Sequence, residues 1–504
     1  MVLQNITSYL IDTTNGTAAT LGIFLATLIS AKAILNMLWK DNRPPGPRGV
    51  PLLGYLPYFG THPHLTFFKL REKYGDVFSI QMGSFPAVVI SGKELIKEVL
   101  VTRGDEFSGR PNFYTSTLLG SDSLSFGHFD HSAILHKKIT YSCLHLFSNA
   151  RMKQIEEMIF DEAKIAVSEF SNQNGKPFFP GEILFASVGS FIYQACYGTH
   201  TNIREEGTFH SFLENSREFA NFAGSGNPVN VMPWLRFVMP GKVSTYLRLR
   251  NKTKAVRNTK LTDSLKSFSP SHVRHLADGF TAAAKEADED PNSVLTSKRI
   301  FQTLDDLTGA GFDTVSVTLN WAVLLLTAHP EVQRKVHAEI DDVLGNRQPR
   351  LEDKTKMPYC MATISEISRF ADIAPLSVPH ATTIDTQLNG YKIAKGTAVL
   401  LNVYTISHDK DLWGDPFNFR PERYLDQAGR LDQNIAGNFN PFSWGRRKCV
   451  GENFARMELF LFITGIFQNC VFTKPAHIEE YSMDSIFGLT VLPVPYEVCA
   501  SLRY

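Results

Sequence analysis

Hydrophobic and polar positions change period several times along the chain, and each period predicts a different element. Residues 74–91 (YGDVFSIQMGSFPAVVIS) alternate in strand fashion on either side of Gly83-Ser84, which predicts a hairpin. Residues 384–402 do the same around Asn389-Gly390, a dipeptide that tolerates the positive φ angles of a tight turn. Helical spacing dominates elsewhere, at roughly 150–172, 299–327, 330–345, 358–370 and 452–469. The expected domain is mainly α with small β-sheets near its start and end.

The longest apolar run, residues 17–39 (TAATLGIFLATLISAKAILNMLW), holds one internal charge, Lys32. Its length suits a bilayer-spanning helix, and it lacks the polar face of a buried amphipathic helix, the competing reading. No A-x-A cleavage pattern follows, so an uncleaved signal anchor is expected. Lys40, Arg43 and Arg48 lie just after the run and no Lys or Arg precedes it, which places residues 1–16 in the lumen and the remainder in the cytosol. Pro44, Pro45 and Pro47 forbid helix, so 40–50 reads as a stiff linker that either orients the domain on the membrane or is a solvated tether. From 51 to 504 there is no second linker and no repeat, consistent with one domain. Gly224 to Pro228 breaks a helical pattern ahead of an apolar stretch with Val231, Met232, Trp234, Leu235, Phe237, Val238 and Met239, which fits either core or a segment dipping into a bilayer.

Composition narrows the function classes. Among 504 residues, 43% are hydrophobic and 20% charged, and the net charge of +1 gives no global pull on nucleic acid. The six cysteines (Cys143, Cys196, Cys360, Cys449, Cys470 and Cys499) form no CxxC pair, which argues against a disulfide framework or zinc site and for a reducing compartment. One of them differs in setting. Cys449 follows Arg446, Arg447 and Lys448, has Gly445 and Gly451 on either side, and leads into an apolar helix. Cationic neighbours and a helix N-terminus both favour thiolate over thiol. The alternative for any lone cysteine is a small buried hydrophobe.

The stretch Phe442-Ser443-Trp444-Gly445-Arg446-Arg447-Lys448-Cys449-Val450-Gly451 resembles the F-x-x-G-x-R-x-C-x-G signature of the cytochrome P-450 family at every fixed position. The resemblance implies the fold of that family, with a long central helix over a heme and the Cys loop beneath it, preceded here by the single transmembrane helix. It implies heme b as cofactor, Cys449 as axial ligand of the iron, Arg447 paired with a propionate and Phe442 beside the sulfur. Ala310-Gly311-Phe312-Asp313-Thr314 is similar to the family's oxygen-activation motif; by itself it would be a polar interruption of a core helix. A threonine hydroxyl beside a small residue can open a local bulge and hold water. By resemblance, Thr314 positions that water and Asp313 belongs to the proton delivery path. His380 would donate to a propionate. Glu366 and Arg369, at i and i+3, with Arg423 from Pro421-Glu422-Arg423-Tyr424, are similar to the family's buried structural charge network. One feature departs from the family: where W-x-x-x-R is usual, Ala133 and Lys137 stand here, and Lys137 can neutralise a propionate but cannot fork two bonds to it.

Longer stretches (Phe107 to Thr115, Gly224 to Pro228, Pro349-Arg350-Leu351, Phe487-Gly488-Leu489-Thr490) resemble the animal family 1 branch, the aryl hydrocarbon hydroxylases, with the steroid 17-hydroxylase branch as competitor. The resemblance implies a substrate pocket built with Ser116, Phe219, Phe312, Ala310, Val378 and Leu489. Ser116 falls where that branch often has a phenylalanine, which predicts relaxed planarity in an aromatic or steroid-like substrate. The expected reaction inserts one atom of O2 into a lipophilic small molecule. No GxGxxG or flavin-binding segment is present, so electrons are expected from NADPH through a flavoprotein reductase, with cytochrome b5 a further candidate donor. The expected site is the endoplasmic reticulum membrane, catalytic domain in the cytosol. The rival classes are an O2-independent heme-thiolate isomerase or dehydratase and a heme-binding protein of little turnover.

Overall fold

The computed structural model describes residues 27, 42–114, 149–198, 209–211, 214–215, 218, 228–269, 273–289 and 296–503. The apolar run 17–39 (apart from Thr27), Ala133, Lys137, Ser116 and Phe219 lie outside them.

Both hairpins form where the turn residues allow them. Strands β1 (Val77–Met82) and β2 (Phe85–Ser91) pair antiparallel from Val77↔Ile90 to Met82↔Phe85, turning at Gly83-Ser84. The turn between β4 (Thr386–Leu388) and β5 (Tyr391–Ile393) has φ +48 at Asn389 and +81 at Gly390, the two positive angles that a two-residue hairpin needs. Gln387–Ile393 groups with residues 42–44 in a small unit; within it the Lys392 N–H donates to the Asn42 carbonyl at 2.6 Å.

The large unit, Pro45–Thr386 with Ala394–Tyr504, holds everything else. Its sheet has the order β1-β2-β6-β3, where β3 is His380–Ala381 and β6 is Ala398–Asn402. Strands β2 and β6 run parallel, so most of the described helical chain forms the crossover between them. The Ser79 N–H donates to the Pro45 carbonyl at 2.7 Å, and Val50 and Gly54 exchange two bonds of 2.8 Å. The stretch from Pro45 is therefore laid along β1 and makes specific contacts.

The helices that matter for the site are α1 (Pro63–Tyr74), α2 (Asn149–Ser171), α3 (Gly181–Tyr197), α4 (Pro240–Lys266), α5 (Leu276–Glu289), α6 (Ser297–Ala328), α7 (Pro330–Val343), α8 (Pro358–Ala371), the single turn α9 (Tyr404–Ser407) and α10 (Glu452–Asn469). The 32-residue α6 is about 48 Å long at the usual rise. It starts where the Thr296 side chain accepts the Arg299 N–H and stops before Pro330, which cannot continue it. Among the described residues α6 alone is long and apolar enough to cross a membrane, yet 72% of its apolar window is buried inside the protein. It is the core helix, packed against α3, α5 and α10. A Cβ at Gly311 would come within 3.0 Å of Ile192, so the glycine sets the close approach of α6 to α3.

Candidate functional site

A cavity of about 350 Å³ lies between α6 and the loop that carries Cys449. This volume is in the range of small-molecule sites. Ala310, Gly311, Thr314 and Val315 line it from α6, while Phe454, Ala455, Glu458 and Leu459 present one face of α10. Ala310 is solvent-accessible in the middle of a core helix because it faces this cavity.

The Cys449 loop is closed by the Cys449 N–H donating to the Phe442 carbonyl at 2.9 Å. Between them Gly445 has φ +74, and a Cβ there would sit 1.8 Å from the Leu100 carbonyl oxygen, so no other residue fits. Gly451 is different: its φ is −84, and a Cβ would meet the Cys449 sulfur at an ordinary 3.9 Å. Cys449 is accessible and lines the cavity, while the other described cysteines are buried or half-buried; all five are free thiols. Its sulfur is open to the cavity but surrounded by protein, and this desolvation, with the Glu452 charge, pushes the thiol above the usual value, against the Gly451 and Glu452 N–H groups and the Lys448 charge. Lys448 is paired with Glu452 at 2.5 Å and Arg446 with Asp105 at 2.7 Å, so much of their charge is already compensated.

One end of the cavity gathers cations. Arg447 donates to the Ser108 carbonyl at 2.9 Å, and burial lowers its guanidinium to about 10. Arg110 donates to the carbonyls of Val378 (3.1 Å) and Pro379 (2.8 Å); burial and then the like charge of Arg447 pull it well below its ordinary value. His380 is bonded through Nδ1 to the Phe107 carbonyl at 2.8 Å, and burial, followed by the charge of Arg110, lowers it to about 3. All three line the cavity. Arg447 disfavours charge on Arg110, and both disfavour it on His380, a cost that an anionic group among them would relieve. With an accessible sulfur at one wall and this cationic end, the residues present fit a planar, thiolate-ligated cofactor bearing carboxylates. Sequence reasoning did not single out Arg110, because Val378 and Pro379, whose carbonyls it binds, lie 268 and 269 positions away along the chain.

The oxygen-activation fragment divides between two environments. Thr314 lines the cavity, and its hydroxyl donates to the Ala310 carbonyl at 3.0 Å. The helix stays α through this point, with no bulge. Asp313 is buried behind it and accepts the Thr490 hydroxyl at 2.9 Å. Of the expected pocket residues that are described, Ala310 and Val378 line the cavity. Phe312 is instead core, its ring edge-on to Phe185 at 5.1 Å, and Leu489 is exposed beside the β8 (Ser485–Phe487) to β9 (Val491–Pro493) turn. Neither is among the described lining residues. Phe442 lines the cavity with the Arg456 guanidinium 4.8 Å from its ring centre.

Glu366, Arg369 and Arg423 form one buried network. Arg369 grips Glu366 with two bonds of 2.7 and 2.8 Å, Arg423 adds one of 3.0 Å, and the Arg420 N–H a fourth of 2.9 Å. Arg369 also donates to the carbonyls of Ser407 and Pro416, tying α8 to the segment after β6. A further buried carboxyl, Glu458, lines the cavity with its Oε2 unpartnered, and burial pushes it well above the usual carboxylate range.

Comparison with known proteins places this geometry. A sequence profile of the family "Cytochrome P450" matches residues 44–500. The chain is 36% identical over 461 residues to the protein "Cytochrome P450 1A1" of Mesocricetus auratus, covering 89% of this chain and 88% of that one. It is 34% identical to the protein of the same name from Homo sapiens (89% and 90% covered) and 34% identical to that from Canis lupus familiaris (93% and 92%).

Proposed function

Because the chain belongs to the cytochrome P450 family, on its family 1-like side, and is an oxidoreductase of the monooxygenase class with a heme-thiolate cofactor, we propose the following division of labour among its residues. Cys449 ligates the iron of heme b, and Arg447, Arg110 and His380 hold the propionates, joined by Lys137. The observation that carries this reading is the convergence of one accessible sulfur and a cationic end on a single cavity. When bound, a thiolate-ligated heme supplies electron density that favours O–O cleavage. Thr314 turns its Oγ1 to the cavity while its proton rests on the Ala310 carbonyl, and the preceding residue, Asp313, supplies an acid–base partner behind the helix. Gly445 keeps the loop close to Leu100, and Phe442 packs beside the sulfur. Glu366, Arg369 and Arg423 hold the fold in which these groups meet.

The substrate is a lipophilic aromatic or steroid-like molecule in contact with Ala310 and Val378, with Phe219 and Ser116 shaping the rest of the slot. Electrons come from NADPH through a flavoprotein reductase, with cytochrome b5 as an additional donor. The chain resides in the endoplasmic reticulum membrane by the apolar run 17–39, domain in the cytosol. A surface patch supports membrane contact: Trp234, Phe237 and Val238 are exposed, and so are Leu52 and Leu53. The two groups adjoin, because the Gly83 N–H donates to the Leu53 carbonyl and the Ser84 N–H to the Val231 carbonyl.

The test is reconstitution of the full chain with an NADPH-dependent flavoprotein reductase in lipid vesicles, offering planar polycyclic aromatics and steroids under isotopically labelled dioxygen. Labelled hydroxylated product that requires NADPH supports the reading. Product formed without NADPH, or without label, contradicts it.

A further inference from the structure

The cavity wall formed by Ile373, Ala374, Ser377 and Val378 is bounded by two left-handed residues that are not glycine, Asp372 (φ +34) and Ser377 (φ +53). Such conformations persist only where the surroundings hold them. Three elements hold this wall: the Val491 N–H donates to the Ile373 carbonyl at 2.9 Å, Arg110 to the Val378 carbonyl at 3.1 Å, and α9 grips the part between and the residue before it. From α9, the Tyr404 N–H donates to the Pro375 carbonyl at 3.2 Å, and the Ser407 hydroxyl donates to Asp372 Oδ2 at 2.6 Å. Ser407 Oγ is bonded in turn to His408 Nδ1 at 2.9 Å, and the Ser407 carbonyl receives Arg369 at 2.6 Å. Asp372, Ser407, His408 and Arg369 are all buried, and Asp372 itself lines the cavity. The wall is thus strapped to α9 at a carbonyl and at a carboxyl.

We propose that Asp372 is a positioning residue for the cavity wall 373–378, and that its proton occupancy, acting through the bond to Ser407, tunes how tightly the cavity holds an apolar ligand. The proposal rests on the reading that this cavity takes the heme and a lipophilic substrate. The charged and titratable groups facing Asp372 are Arg369 one turn back on α8 and, from the α9 segment, Tyr404 and His408, with His64 of α1 behind them. Burial pushes the Asp372 carboxyl up to about 7, against the Ser407 bond and the Arg369 charge. Burial lowers His408 to about 3 and His64 to about 4, so both are neutral near pH 7 and Asp372 is the group that titrates there. A raised carboxyl keeps its proton below that value and is negative above it. The ionised form accepts the stronger, charge-assisted bond from Ser407, so the strap is tight above pH 7 and looser below.

The experiment is a spectral titration of the heme-loaded full chain with phenanthrene, which has no titratable group, between pH 6 and pH 8. The wild type is expected to bind about threefold or more tightly at pH 8 than at pH 6. Asp372→Asn, which tolerates the left-handed conformation, is expected to stay at the weaker level throughout. Ser407→Ala, which leaves the wall residues untouched, is also expected to be flat. A pH-independent wild type, or variants that keep its pH dependence, overturns the proposal. Absence of any ligand-induced shift at every pH overturns the reading of the cavity itself, and the proposal with it.

Discussion

Thr490 donates its hydroxyl to the Asp313 carboxylate across 2.9 Å inside the protein, joining the central helix to the turn before β9. The bond fixes Asp313 on the side of α6 away from the cavity that Thr314 faces. Any proton passing between these neighbours must therefore go around or along the helix, and the position of the carboxylate depends on a residue 177 positions away. Replacing Thr490 with Val leaves a buried carboxylate short of a donor, which costs about 1–3 kcal/mol. Chemical unfolding checks this: Thr490→Val is expected to fall in that range and Thr490→Ser to stay near wild type.

The Glu366 carboxylate receives four bonds, three from arginine side chains and one from the backbone. Truncating it leaves the buried Arg369 guanidinium without its carboxylate and Arg423 with Asp415 alone. Glu366→Ala is expected to cost about 3–5 kcal/mol, seen as loss of soluble folded protein. Arg423→Lys keeps the charge but loses the fork that reaches both Glu366 and Asp415, so an intermediate loss is expected.

Gly445 and Gly429 share φ +74 but differ in surroundings. A Cβ at Gly429 meets nothing within 4 Å, whereas one at Gly445 meets the Leu100 carbonyl at 1.8 Å. Gly429→Ala is expected to cost about 1 kcal/mol from backbone strain alone. Gly445→Ala must also displace main chain and is expected to cost well beyond that in thermal unfolding.

Glu458 gives a pH prediction. Its carboxyl is pushed up by burial, so the folded state keeps a proton that the unfolded chain releases above the usual carboxylate value. Stability should therefore decline as pH rises from about 4.5 towards the folded-state value. Glu458→Gln removes that titration. Unfolding measured from pH 5 to pH 8 is expected to show a smaller decline in the variant; an identical slope would exclude Glu458 as its source.

The elements legible in the sequence were those whose signals are local. The Gly83-Ser84 and Asn389-Gly390 turns announce their hairpins because few residues tolerate those angles. The helices α2, α6, α7, α8 and α10 fall within a few residues of their spacing patterns. Helices α1, α3, α4 and α5 were missed; α3 is buried on almost every side, so no polar face sets a period. The Glu366–Arg369 spacing is local and readable, whereas the bonds of Arg110 and Thr490 are made across hundreds of residues. Phe312 shows the limit of placing side chains by motif position: it is two residues from Thr314, which on a helix turns it about 200° away, into Phe185 and the core.

The central claim is that Cys449 ligates a heme iron. The measurement that tests it most directly is the carbon monoxide difference spectrum of the reduced, folded full chain, alongside Cys449→Ser. A Soret band of the thiolate-ligated type in the wild type, lost in the variant, is the result predicted. A band of the imidazole-ligated type in folded wild type, or a thiolate-type band that survives in Cys449→Ser, would contradict the account.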